Sequence, residues 1–136
     1  IIVGFPGETE ADFTETLDLV EKVGFIDAFT YKYNPRKGTV SSGWEDTVSE
    51  SVKTQRLQRL IALQRSLSLQ MKRQKIGTTV NALVEKTSKK NNNEVLARTE
   101  TNEMVVFPGD RTMIGSIFRV TIHSLSGNTF KGEYIE

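Results

Sequence analysis

The first eight residues of this 136-residue chain constrain its fold more than any other segment, because a strand, a tight turn and a helix start follow one another there. Ile1-Ile2-Val3 has the β-branched, apolar composition of a buried parallel strand. Gly4-Phe5-Pro6-Gly7 has the composition of a turn, at the strand end where α/β proteins place ligand-contacting backbone. Since a parallel strand needs neighbours, we expect the chain to begin inside an α/β domain whose other strands precede residue 1.

The residues after this turn predict a helix and then a second strand. Thr9 and Asp12 approximate a capping box, and Gly24 is suited to end the helix in a left-handed conformation. An apolar stripe at helical spacing lies between them: Phe13, Leu17, Val20 and Val23. Residues 25–33 are rich in aromatic and apolar side chains and predict a strand, which a right-handed crossover would place parallel to the first.

The remainder of the chain predicts a loop, a long helix and a small β-barrel. Residues 34–46 contain proline and glycine, whereas residues 49–76 contain neither and predict one helix. The apolar face of that helix is predicted at Leu57, Leu60, Ile61, Leu67 and Met71. After Gly77 the pattern changes to alternation, and short strands are predicted at 80–84, 95–99, 104–107, 117–122 and 129–135. Five short strands within residues 77–136 favour a closed or nearly closed barrel, an architecture that often binds oligonucleotides.

Composition narrows the classes of function. The chain has no cysteine and one histidine, which excludes disulfides, a thiolate zinc site and iron–sulfur ligation by this segment alone. No membrane span or signal peptide is predicted, so we expect a soluble, cytoplasmic protein. Residues 51–76 carry seven cationic side chains and no acidic one, while residues 1–50 are acidic. Such a basic segment indicates either an anionic partner, nucleic acid first, or a solvated helix face.

Several stretches together resemble the radical S-adenosylmethionine methylthiotransferases that modify tRNA. Residues 2–9 are similar to a late barrel strand of radical S-adenosylmethionine enzymes, and residues 31–39 resemble the Tyr-Ser-Pro-Arg-x-Gly-Thr segment of the methylthiotransferases. Residues 56–64 resemble their connecting helix. The remaining matches resemble their C-terminal RNA-binding barrel, the TRAM domain: residues 84–90, 98–100, 105–109 and 114–115. The resemblance implies that residues 1–76 end a radical S-adenosylmethionine barrel domain and that residues 77–136 form an OB-like TRAM barrel.

The resemblance also implies an activity and its cofactors. Enzymes of the branch that this chain resembles most add a methylthio group to a prenylated adenosine beside the anticodon, using S-adenosylmethionine and two [4Fe-4S] clusters. The cluster-binding cysteines of the family lie in N-terminal domains, so we expect this chain to need those domains and to be inactive alone. The expected partner is the anticodon stem-loop of tRNA. Three alternatives stay open: a free-standing RNA-binding module, the relatives that act on threonylcarbamoyl-adenosine, and the relatives that modify a ribosomal protein, which usually carry glutamate where Arg36 stands.

Two groups of residues are candidates for binding. By resemblance, the turn contacts S-adenosylmethionine or the target base through Gly4, Phe5, Pro6, Gly7 and Glu8, although a tight turn needs the same residues for its shape. The RNA-binding candidates are Tyr31, Tyr33 and Arg36 at the end of the second strand and Lys86, Lys89, Lys90 and Arg98 in the barrel. Aromatic rings stack on bases, and guanidinium and ammonium groups pair with phosphate. No catalytic or metal-binding residue is predicted within the chain.

Overall fold

The computed structural model describes residues 1–89, 91 and 93–135, which divide into two compact units, Ile1–Gln70 and Met71–Glu136. The first unit contains strand β1 at Ile2–Val3, helix α1 at Glu10–Val23, strand β2 at Tyr31–Lys32 and a 3-10 turn at Val40–Gly43. Helix α2 begins at Glu50 and ends at Gln74. Within the described part of the chain, no helix combines the length and the hydropathy that crossing a bilayer requires.

The two strands of the first unit pair in parallel, as predicted. Ile2 lies opposite Tyr31 and Val3 lies opposite Lys32. The Ile1 carbonyl accepts from the Tyr31 N–H at 2.9 Å, and the Val3 carbonyl accepts from the Tyr33 N–H at 2.8 Å. The prediction of a strand over residues 25–33 was wrong in extent, because only the residues opposite the two-residue β1 find a ladder partner.

Helix α1 has the predicted ends. The Thr9 side chain accepts from the Asp12 N–H while the Asp12 side chain accepts from the Thr9 N–H, so both halves of the capping box form. Gly24 ends the helix at φ 64°, where a side chain would be strained. Of the predicted apolar stripe, Phe13 and Val20 are buried in the core of this unit with Val3 and Leu60, and Leu17 packs against it. Val23 was wrongly placed in the stripe, because its side chain is 52% exposed.

Helix α2 confirms the predicted long helix but differs in its buried face. Leu57, Leu63 and Leu67 pack against the core around Leu60, as an apolar stripe should. Ile61 and Met71 are only half-buried. Polar residues occupy much of the same face, and these are buried: Lys53, Arg56 and Gln64. The apolar pattern therefore predicted the helix, while part of what the helix buries is polar.

The second unit is a closed five-stranded barrel. Its strands are β3 at Thr79–Thr87, β4 at Glu94–Thr99, β5 at Met104–Pro108, β6 at Ile117–Ser126 and β7 at Thr129–Ile135. They close in the order β3-β4-β5-β7-β6, with every pair antiparallel except β5 and β7. This is the strand order of an OB-like barrel, and it confirms the predicted small barrel. Phe107 and Phe130 are buried in its core, and Phe118 packs against that core.

Candidate functional site

The turn after β1 is closed by hydrogen bonds within the protein. Gly4 and Gly7 adopt φ values of 74° and 86°, a region that favours glycine. The Gly4 N–H donates to Glu8 Oε2 at 2.9 Å, and the Glu8 N–H donates to the Phe5 carbonyl at 2.9 Å. The Gly7 N–H donates to Thr47 Oγ1 at 2.9 Å. Pro6 is half-buried within this turn, whose shape is thus determined locally and by the loop before α2.

Cations of α2 neutralise the acidic side chains around the turn. Arg56 donates to Glu8 Oε1 at 2.7 Å and to the Glu8 carbonyl at 3.0 Å, and its side chain is 6% exposed. Arg59 pairs with Glu10 at 2.5 Å, and hydrogen bonding to Arg59 lowers the pKa of the Glu10 carboxyl. Other cations of the basic segment also pair with carboxylates: Lys53 with Asp46, and Lys75 with Glu103. These cations are therefore not the anion-binding surface that the run of positive charge suggested.

Most hydrogen-bonding groups of the turn already have protein partners, so few are available to S-adenosylmethionine. The N–H groups of Gly4, Gly7 and Glu8 already donate to protein acceptors, and the Thr9 N–H donates to Asp12 at 2.8 Å. Both oxygens of Glu8 have protein partners. A cofactor at this turn would have to replace one of these hydrogen bonds or use the side chains of Phe5 and Pro6. Cofactor binding by residues 4–8 stays a prediction. Among the described residues, no cluster of histidine, aspartate and glutamate is arranged to hold a metal ion.

Gly4→Ala should destabilise the first unit more than Gly7→Ala. Both substitutions place an alanine at positive φ, which costs about 1–2 kcal/mol. At Gly4 the new Cβ would also collide with Cγ of the nearly buried Lys53, whereas at Gly7 no atom lies within 4 Å. We expect a further loss of about 1–3 kcal/mol at Gly4 alone. Urea unfolding followed by the fluorescence of Trp44, the single tryptophan, measures both; equal losses would contradict the packing argument.

A cleft of about 720 Å³ opens beside this turn. It brings together most of the aromatic and cationic residues that the sequence singled out in this unit, along with several neighbouring polar side chains: Ile2, Phe5, Tyr31, Lys32, Tyr33, Asn34, Arg36, Thr39, Ser41 and Glu50. Tyr31 is 58% exposed and Phe5 is 38% exposed, so a bound ring could stack on either. Gly4, Gly7 and Glu8 do not line the cleft.

The aromatic walls of the cleft have a defined geometry. The Phe5 ring meets the Tyr33 ring edge to face, with centroids 5.0 Å apart. The Phe5 ring also meets the Trp44 ring edge to face, with centroids 5.6 Å apart. The Tyr33 hydroxyl donates to the Ser41 carbonyl at 3.0 Å, which holds the ring against the loop. Sequence reasoning missed Trp44, because a lone tryptophan in a loop carries no periodicity that would indicate its contacts.

Arg36 is the exposed cation of this cleft. Its carbonyl accepts from the Thr39 N–H at 3.1 Å and from Thr39 Oγ1 at 2.8 Å, which fixes the turn that carries it. Its guanidinium makes no hydrogen bond or ion pair with the residues that the structure describes. Lys32, by contrast, pairs with Glu50 and donates to Thr54 at 3.3 Å. Arg36 therefore supplies the uncompensated positive charge at this cleft.

The barrel presents a second cationic surface. Lys86 on β3 lies opposite Leu96 on β4, which lies opposite Val106 on β5, which lies opposite Lys131 on β7. We call these four residues the lysine row. Leu96 and Val106 are half-buried and both lysines are exposed. Neither lysine makes an ion pair with another described residue, so the row places two free ammonium groups at the ends of an aliphatic strip.

The other predicted barrel residues differ in how available they are. Arg98 donates to both oxygens of Glu85, at 2.5 Å from Nε and 3.2 Å from Nη2, and to Asn102 at 2.6 Å. This pairing raises the pKa of Arg98 and lowers that of the Glu85 carboxyl. Lys89 is exposed in the loop between β3 and β4. Lys90 lies outside the described residues.

Comparisons with known proteins support the resemblance seen in the sequence. Residues 73–135 match the TRAM domain. Over its whole length the chain is 47% identical to the tRNA-2-methylthio-N(6)-dimethylallyladenosine synthase of Thermoanaerobacter pseudethanolicus, of which it covers 29%. Proteins of the same name from Moorella thermoacetica and Treponema pallidum are 43% and 42% identical, with 31% and 30% of their lengths covered. The chain thus spans under a third of these relatives and matches their C-terminal part.

Proposed function

We propose that this chain, which contains a TRAM domain and resembles methylthiotransferases along its whole length, is the C-terminal part of a tRNA methylthiotransferase. The full-length protein would add a methylthio group to a prenylated adenosine next to the anticodon, in the cytoplasm where tRNA is modified. The observation that carries the proposal is an identity of 42–47% that extends across both structural units. The parallel pair β1–β2 with α1 would then be the last part of a radical S-adenosylmethionine barrel.

The proposed chemistry needs groups that this chain does not supply. S-adenosylmethionine and two [4Fe-4S] clusters provide the radical and the sulfur chemistry when they are bound to the full-length protein. With no cysteine, this chain has no thiolate for a cluster, and we propose that it does not catalyse the reaction alone. Its part in the activity would be to bind the anticodon stem-loop and to complete one side of the substrate site.

In the barrel, RNA would lie across the lysine row. OB-like barrels bind oligonucleotides on the strands that correspond to β4 and β5, next to the loop that corresponds to the β3–β4 connection. The two unpaired lysines of the row can each neutralise a phosphate, and the aliphatic strip between them can contact a sugar or a base. Lys89 extends the cationic surface into the adjacent loop. Arg98 is less suited to phosphate because Glu85 already holds it.

In the first unit, the cleft would accept a nucleotide of the anticodon loop. Tyr31 and Phe5 offer exposed ring surface for stacking on a base, and the unpaired guanidinium of Arg36 can pair with a phosphate. Both interactions are typical of single-stranded RNA recognition, in which unstacked bases pack on aromatic side chains. Tyr33 would act as a fixed wall, since its hydroxyl is already bound to Ser41.

Binding to an anticodon stem-loop at two salt concentrations tests the proposal. Removing both ammonium groups of the lysine row with Lys86→Gln and Lys131→Gln should weaken binding and lower the slope of log affinity against log salt by about 1.5. The matched control removes two exposed cations elsewhere, Lys22→Gln and Arg65→Gln, and should leave the slope unchanged. Equal binding to unrelated RNA, preference for a ribosomal protein in competition, or an unaltered slope in the lysine-row variant would contradict the proposal.

A further inference from the structure

Lys53 occupies an unusual position beneath the cleft. Its side chain is 4% exposed, although lysine is rarely buried, and it lies on the face of α2 that packs against the turn after β1. It does not line the cleft. Three different segments nevertheless meet around it: the turn at Gly4, the loop at Asp46 and the end of β2 at Tyr33.

The two ends of the Lys53 side chain make different contacts. Its stem occupies the space in which a Cβ on Gly4 would lie, so the strand end packs directly on the methylene groups. Its ammonium group lies 5.5 Å from the centroid of the Tyr33 ring, within the range of a cation–π contact. The Phe5 ring packs edge-on against that same tyrosine. Lys53 therefore contacts the backbone at Gly4, directly before Phe5, and the ring of Tyr33.

Asp46 connects Lys53 to the loop that covers the turn. Its carboxylate pairs with the ammonium group and also accepts from the Val48 N–H at 3.4 Å. The next residue, Thr47, accepts the hydrogen bond from Gly7. The ion pair thus holds the loop 44–48 against the turn, and the same loop carries Trp44, whose ring packs on Phe5.

We propose that Lys53 is a positioning residue for the cleft, fixing the orientation of the Phe5 and Tyr33 rings through its contacts at Gly4, Tyr33 and Asp46. Stability alone does not explain a lysine here, because a methionine of similar length would fill the same space without the cost of desolvating a charge. Methionine cannot form the ion pair with Asp46 or the cation–π contact with Tyr33 that the ammonium group of Lys53 makes. The proposal rests on the cleft being the nucleotide site proposed above.

The test compares ring environments with binding in the 136-residue chain. In Lys53→Met, we expect the NMR signals of the Tyr33 and Phe5 ring protons to shift in the ligand-free protein, and the affinity for adenosine 5′-monophosphate to fall about tenfold. Asp46→Asn keeps the lysine and its stem, so it covers the case in which Lys53→Met does not fold; it should shift the same signals. The matched control, Glu10→Gln, removes an exposed carboxylate that pairs with α2 away from the cleft and should shift neither ring.

The outcomes separate this proposal from the proposed function. Ring signals that shift in Lys53→Met and Asp46→Asn but not in Glu10→Gln support the positioning role of Lys53. If the unaltered protein does not bind the nucleotide, that result counts only against the proposal that the cleft is the nucleotide site. Folded variants whose Tyr33 and Phe5 signals match those of the unaltered protein would overturn it. So would a loss of stability in Lys53→Met without any change in the rings, because that result assigns Lys53 a packing role only.

Discussion

Arg56→Met should lower the free energy of unfolding of the first unit by about 3–5 kcal/mol, the range for breaking a buried ion pair from one side. The Glu8 side chain is 11% exposed and depends on Arg56 at Oε1, so the substitution leaves a carboxylate with only the Gly4 N–H as partner. It also removes the donor to the Glu8 carbonyl. Methionine keeps the apolar contact with Phe13, over whose ring the guanidinium lies at 5.6 Å. The loss is therefore electrostatic rather than one of volume.

Urea unfolding followed by Trp44 fluorescence measures this loss, because the single tryptophan lies in the first unit. Arg59→Met is the matched control: Arg59 also packs on Phe13 and pairs with a glutamate, but its side chain is 45% exposed. An exposed pair of this kind contributes roughly 0–1 kcal/mol. Adding Glu8→Gln to Arg56→Met should recover part of the loss by removing the unpaired charge. A loss at Arg56 no larger than at Arg59 would contradict the argument.

The basic segment illustrates what the sequence could and could not predict. The run of cations without acids was evident in residues 51–76, and so was the helix that carries them. The carboxylate that neutralises Arg56 is Glu8, 48 residues earlier in the chain, and the one that neutralises Lys53 is Asp46, seven residues earlier. Counting charges along the sequence does not reveal such ion pairs, because the partners come together only when α2 packs on the turn. The run of cations therefore suggested an external anionic partner, whereas several of these cations pair with carboxylates of the same chain.

The cleft was predictable in part for a similar reason. Strand ends and loops follow from local residue types, and these brought Tyr31, Tyr33 and Arg36 to one rim of a parallel pair. The contributions of Trp44 and Lys53 depend on contacts between segments distant in the chain, and their residue types alone do not indicate them. One signal was present: Lys53 stands at helical spacing from Leu57 and Leu60 on the packed face of α2, which places it on the buried side.

The barrel was more fully predictable because its strands alternate over most of their length and its core is apolar. The alternating pattern does not predict how closely two neighbouring strands approach each other. Gly132 on β7 lies opposite Ile122 on β6, next to the irregular pairing between Ile122 and Ser124. A Cβ built on Gly132 would collide with the Thr121 carbonyl oxygen, which is backbone, and would lie 2.7 Å from a methyl carbon of Val120. The glycine thus permits the close approach of the two strands that complete the barrel.

Gly132→Ala should therefore destabilise the barrel by about 3 kcal/mol, because a backbone oxygen within a ladder cannot rotate away as a side chain can. Gly109→Ala is the matched control, since its new Cβ would also meet an atom at 2.5 Å, but that atom is the thioether sulfur near the end of the flexible Met113 side chain. We expect a loss of about 1 kcal/mol there. Amide hydrogen exchange of the buried barrel residues Val105 and Ile122 measures both losses within the second unit.

The comparison of these two glycines also bears on the lysine row. Lys131 is the neighbour of Gly132 on β7 and lies opposite Ser124, just after the irregular pairing. If the alanine forces β6 and β7 apart, Lys131 loses its fixed place beside Val106, and stem-loop binding should weaken in Gly132→Ala but not in Gly109→Ala. Equal exchange rates in the two variants would mean that the β6–β7 ladder can yield, and that the glycine is not what permits the barrel to close.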